Sequence, residues 1–156
     1  MSRPPQNSFA RVALSLGGAC VLAGLSLSGC TTDPVIQDII DALPPEDPAG
    51  PSELHRAGQP CVACHGPFEG AEPEMAFGGT VYELNPTTFQ LIPVQGVFVT
   101  VFDSAGASQK ACTNAAGNFF VRKDDWPDTA FPITVQVGNR FLRSLAGRER
   151  SCASCH

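Results

Sequence analysis

Histidine, methionine and basic side chains are scarce in this chain. Its 156 residues include three histidines, two methionines, one tryptophan and one tyrosine. Ser-His-Asp or Cys-His catalysis needs an imidazole with no other duty. Two histidines directly follow cysteine pairs, which leaves His55 alone and argues against a hydrolytic enzyme. Lys and Arg number 10 against 15 Asp and Glu. Nucleic acid is therefore not an expected partner, because neutralising phosphates takes clustered Lys and Arg. A permanent membrane span is also missing: Val12 to Leu27 is apolar, but too short and too rich in glycine. From Phe77 onwards no stretch has a helical period, so the second half should not be a helical bundle.

Cysteine is present, and in a pattern. Four of the seven cysteines and two of the three histidines fall in two copies of Cys-x-x-Cys-His, Cys61–His65 and Cys152–His156. That pentapeptide is the attachment site of c-type haem. Two thiols add across the vinyl groups, and the adjoining imidazole ligates the iron from the same short turn. Cys61, Cys64, Cys152 and Cys155 are the expected thioether positions, His65 and His156 the proximal ligands, and one or two haem c groups the expected cofactor. Gly58, Gly66 and Pro67 permit tight reversal beside a flat macrocycle. Electron-transfer haems usually carry two axial ligands. His55 and Met75 are the candidates, one for each iron; the competing readings are a solvated loop histidine and a core methionine at the sandwich edge. A five-coordinate haem is the other possibility. Two alternatives to haem stay open: a zinc site with four thiolate ligands, and two Cys-x-x-Cys disulfides in a cofactor-free adhesion or assembly module.

Residues 1–29 read as an export signal, with Arg3 and Arg11 ahead of the apolar stretch. Leu27-Ser28-Gly29-Cys30 resembles the bacterial lipobox. That resemblance implies cleavage before Cys30 and diacylglycerol on its thiol, hence a lipid-membrane anchor in the cell envelope. Thr31, in place of Asp, leans towards the outer membrane under enterobacterial sorting rules. Outside the cytoplasm thiols are oxidised, so cysteines there become disulfides, thioethers or anchors. Cys20 leaves with the signal, and Cys112 remains alone in a strand-like stretch, read as a small buried hydrophobe ahead of a disulfide to another chain.

Without the signal, 15 acids and 8 bases remain, a formal charge of −7. Residues 31–76 hold nine of the acids against Arg56 alone, which would steer a basic redox partner or simply stay solvated. Glu69, Glu72 and Glu74 belong to that acidic run. Val35–Leu43 has helical spacing, with Ile36, Ile39, Ile40 and Leu43 on one face, a start at Asp33-Pro34 and a stop at Pro44-Pro45. Residues 30–54 thus form a lipidated N-terminus and a proline-rich tether, and 55–76 the first Cys-x-x-Cys-His segment.

Period two takes over in 79–83, 97–102, 118–122 and 133–137, with turns at 103–106, 114–117 and 137–139. These strands predict a β-sandwich over 77–144, followed by the second motif in 145–156. Trp126 is read as a plug at its edge. Gly78-Gly79-Thr80-Val81-Tyr82, Gly96 to Asp103 with Gly106, and Thr113-x-x-x-Gly117-Asn118-Phe119 resemble the carboxypeptidase regulatory-like, transthyretin-like domain. That resemblance implies a mainly β, seven-stranded Greek-key sandwich and says little about function. The full arrangement resembles predicted bacterial lipoproteins in which such a sandwich lies between two Cys-x-x-Cys-His motifs. The expectation is a membrane-anchored, cytochrome-like lipoprotein that transfers single electrons to a partner protein and is not an enzyme.

Overall fold

Alternating apolar residues build the centre of the molecule, which is mainly β and sandwich-like. The computed structural model describes residues 33–46, 50, 52–68 and 70–154. Residues 1–32, including Cys20 and Cys30, lie outside the described residues, as do Glu69, Cys155 and His156. In the larger sheet β4 (Phe98–Phe102) is central, pairing antiparallel with β5 (Ser108–Cys112) and β7 (Thr134–Val137); β7 then pairs with β8 (Arg140–Phe141). Val99 and Val101 point inward from β4 and are each 1% exposed. Their partners Val137 and Val135 lie in register on β7, so one face of this sheet is apolar.

The opposing layer is a pair, β1 (Met75–Thr80) with β6 (Asn118–Arg122), antiparallel with Gly79 opposite Phe119. Phe77, Phe119 and Val121 join Val99, Val101, Ile133, Val135 and the buried Trp126 in a single core. Fully burying one such side chain stabilises by about 1.5–3 kcal/mol. A third pair, β2 (Tyr82–Leu84) with β3 (Leu91–Pro93), forms a hairpin with exposed Leu84, Leu91 and Ile92. The described residues therefore carry eight strands, against the seven that the transthyretin-like resemblance implies.

Turn chemistry fixes the strand ends. Asp103 Oδ1 accepts from the backbone N–H of Ala105 and Ala107, and its Oδ2 from that of Ala130. Asn114 Oδ1 does the same for Ala116 and Asn118. Gly117 has φ +78, and a Cβ there would meet the Val81 carbonyl oxygen at 2.5 Å; only glycine closes that turn.

The N-terminal helix α1 (Pro34–Asp41) begins where expected, with Asp33 accepting from Val35 N–H as its cap. Its Ile36, Ile39 and Ile40, and Leu43 beyond its end, are half-buried, and the helix lies against α2 (Cys61–His65). Among the described residues no helix is long and apolar enough to cross a membrane.

One expectation is overturned. Cys112 is exposed, and its side chain lines a groove between β5 and β6. β5 is an edge strand that turns Gln109 and Ala111 inward and Ser108, Lys110 and Cys112 outward. The parity of the strand, not the apolar character of the thiol, decides its side.

Candidate functional site

The first motif forms one short helical turn, α2, with Val62, Ala63 and His65 buried. Its His65 is 8% exposed, and Nδ1 lies 3.1 Å from the carbonyl oxygen of Pro73. A carbonyl can only accept, so in the neutral ring this contact selects the tautomer with the proton on Nδ1 and the lone pair on Nε2. Histidines that bind metals are commonly held this way, the second nitrogen tied to a carbonyl that fixes tautomer and ring orientation.

His55 sits just upstream with the same chemistry, since its Nδ1 meets the carbonyl of Ser52. The two rings lie 5.9 Å apart between centroids at an interplanar angle of 42°. The loop carrying His55 is pinned to the sandwich. Asn118 Nδ2 donates to the His55 carbonyl at 3.1 Å and to that of Glu53 at 3.3 Å. Thr80 Oγ1 accepts from Gly58 N–H and donates to Asn118 Oδ1, both at 2.8 Å. Gly58 turns the chain at φ +78.

The C-terminal segment returns to the same strand. Ile133 and Ala146 exchange backbone hydrogen bonds at 2.8 and 2.9 Å, and the Arg150 guanidinium stacks 5.6 Å from the centre of the Phe131 ring. Gly78 N–H then donates to the Arg150 carbonyl at 3.1 Å, and Ser151 runs parallel beside Gly78. Side chains alternate across a strand. Ser151 therefore shares the face of Gly78, and Cys152 that of Gly79.

Those two glycines are where the motifs meet. A Cβ on Gly78 would lie 2.7 Å from Cys61 Sγ, and one on Gly79 would lie 2.8 Å from Cys152 Sγ. The sulfurs thus flank β1 on opposite faces. Tracing from one to the other through adjacent Cα atoms about 3.8 Å apart keeps them within roughly 12 Å. Glycine inside a strand marks such close approaches.

Burial pushes the Cys61 thiol above the ordinary range, and the Ser151 hydroxyl acts against that shift. Ser151 is 2% exposed, and its Oγ has no hydrogen-bond partner of good geometry.

Met75 lies on the Cys61 side as well. A register shift between Met75 and Phe77 turns it there, with Sδ 3.6 Å from the same point above Gly78. Both sulfurs thus lie within 3.6 Å of that one point. Of the predicted residues, then, Cys61 and Met75 meet on one face of β1, with Cys64 and His65 on the same helical turn as Cys61 and the His55 ring beside that of His65. Cys152 lies on the other face. Among the described residues, no three His, Cys, Asp or Glu side chains converge as a metal site. The four-cysteine zinc arrangement includes Cys155, outside those residues.

No family model, no curated protein and no solved structure matches this chain.

Several residues at the site were not singled out as functional from the sequence. Pro73, Ser151, Thr80 and Asn118 act through positions that only folding creates. Gly78 and Gly79 did carry a signal, two glycines interrupting a β-rich run, which marks a close approach without saying to what.

Proposed function

We propose that this protein is a lipid-anchored, extracytoplasmic c-type cytochrome-like relay that carries covalent haem and transfers single electrons. The observation that carries the reading is the tethered His65, whose Nδ1–H···O=C bond to Pro73 leaves Nε2 available beside Cys61 and Cys64. The donor set fits as well. The imidazoles come as a pair, and a haem iron asks the protein for no more than one or two ligands. Gly78 and Gly79 leave room against β1 for Cys61 and Cys152, the first thioether position of each motif. Bound haem would supply a reversible one-electron couple. The chain's own residues would orient the ligating imidazole, hold the thioether sulfurs against β1 and restrict water around the buried His65.

The anchor rests on Leu27-Ser28-Gly29-Cys30, and the envelope location and partner protein follow from it. The sandwich would hold the two motifs within reach of each other and offer its outer surface for docking.

The test is an absorption spectrum of the full chain, co-expressed with a c-type maturation system, before and after dithionite, together with its intact mass. Sharpened reduced bands and the mass of one or two haems support the reading. Absence of haem under those conditions, with the mass deficit of disulfides, would leave a cofactor-free module in its place.

A further inference from the structure

We infer that His55 and His65 are the two axial ligands of one and the same iron, that of the first motif, and that Met75 is not a ligand to it. This rests on the haem reading above and assigns the coordination of that site.

Distance is the first support. Two imidazoles on opposite sides of one metal ion, with metal–nitrogen bonds of about 2.0–2.1 Å, place their ring centres roughly 6 Å apart. His55 and His65 stand at 5.9 Å. Their interplanar angle of 42° imposes no constraint, because ligation fixes the nitrogen–metal axis and not the rotation of one ring relative to the other.

Ring orientation is the second support. Both rings have Nδ1 against a backbone carbonyl, Ser52 for His55 and Pro73 for His65, so in the neutral tautomer that this contact selects, the Nε2 lone pair is the one left to bind a metal. The loop that carries His55 is held by Asn118, Thr80 and Gly58, so the imidazole is positioned before any iron is present and little ordering remains to oppose ligation.

Met75 is displaced by count and not by distance: a haem iron takes at most two axial ligands from the protein, and His55 with His65 fills both places. Its buried side chain, with the sulfur on the Cys61 side of β1, packs there.

The experiment uses the full chain loaded by the maturation system, with haem counted by intact mass and assigned to each motif by peptide mass. Spin state is read by ferric absorption and electron paramagnetic resonance. In the unsubstituted protein the first-motif haem should be low-spin with bis-imidazole character. His55→Ala should keep that haem attached, turn one haem equivalent high-spin, and return to low spin when imidazole is added. His55→Gln, checked for fold by circular dichroism, should behave likewise and guards against loss of fold in the alanine variant. A first-motif haem that stays low-spin in both variants overturns the assignment, as does conversion to high spin by Met75→Leu with His55 intact. A folded chain that takes up no haem overturns the cytochrome reading and this inference with it, and the mass distinguishes that outcome from a ligand error.

Discussion

Adding one methyl group at Gly78 or at Gly79 should disturb the two motifs separately. In Gly78→Ala the new Cβ would stand 2.7 Å from Cys61 Sγ, with the Phe119 carbonyl oxygen at 3.5 Å and Met75 Sδ at 3.6 Å. Only the first is closer than ordinary contact, about 3.5–4.0 Å, so the sulfur must retreat by roughly 1 Å. Overpacking of this kind costs about 1–3 kcal/mol, partly offset by the smaller chain entropy of alanine in the unfolded state. In Gly79→Ala the Cβ meets Cys152 Sγ at 2.8 Å, its Cβ at 3.0 Å and Phe119 Cε1 at 3.2 Å. Two side chains must yield there, and Phe119 is in the core, so this cost lies at the upper end of the same range. For a domain of this size each kcal/mol lowers the melting temperature by roughly 3–6 °C. The haem-free chain, followed by circular dichroism on heating, should melt lower in both variants, and lower in Gly79→Ala. With the maturation system, peptide mass should find haem lost first from Cys61–Cys64 in Gly78→Ala and from Cys152–Cys155 in Gly79→Ala. Equal losses at both motifs, or a neutral Gly78→Ala, would refute the placement of the two sulfurs on opposite faces of β1.

Asn118→Ala removes the donor to the Glu53 and His55 carbonyls and the acceptor of Thr80; it should cost about 1–3 kcal/mol in denaturant unfolding and speed hydrogen exchange in residues 53–58. Iodoacetamide should alkylate exposed Cys112 well before Cys61 in the reduced, haem-free chain, and peptide mass mapping would show the reverse order if the burial were misassigned. Because burial raises the Cys61 thiol, the folded chain holds that proton to higher pH than the unfolded one. Its contribution to stability is complete below the ordinary thiol value of about 8.5 and is lost as pH rises through the folded value. Urea titrations should therefore show an alkaline decline in the haem-free chain that is shallower in Cys61→Ala.

The strands that were legible in the sequence are those with one wet and one dry face. Residues 118–122 match β6, and 97–102 and 133–137 each exceed β4 and β7 by one residue. β5 showed only as a strand-like stretch around Cys112, without bounds, because Ser108-Gln-Lys-Ala-Cys112 is an edge strand with no apolar alternation. β3 escaped because Leu91-Ile-Pro93 is exposed throughout, and proline argues against a strand. β1 was seen only from Gly79 because Gly78 and Gly79 erase the alternation upstream, although Phe77 is wholly buried. The helix needed only its cap and its two-proline stop. At the site, the chemistry of Cys61, Cys64 and His65 was legible because neighbours in the chain make it. The approach of Ser151 to Gly78 was not, since no local pattern encodes contact between residues so far apart in sequence.

That distance also bears on what the sandwich is for. A spacer would keep its two flanking segments apart, whereas here both return to one strand. The N-terminal loop is held by Thr80 and Asn118, and the C-terminal segment by the backbone of Ile133 and Gly78. β1 consequently has β6 on one edge and residues 150–151 on the other, with α2 against it. Opening either tie would expose the core as well as separate the motifs, because Phe77 lies next to Gly78 in the strand that joins them. Stability of the sandwich and spacing of the motifs are therefore one property. Substitutions that loosen the core, such as Ile133→Ala at about 2–5 kcal/mol, should also widen the gap between Cys61 and Cys152. Amide hydrogen exchange in residues 61–65 and 150–152 should be faster in Ile133→Ala than in the parent. Unchanged exchange there alongside a lowered melting temperature would show that the core and the motifs are uncoupled.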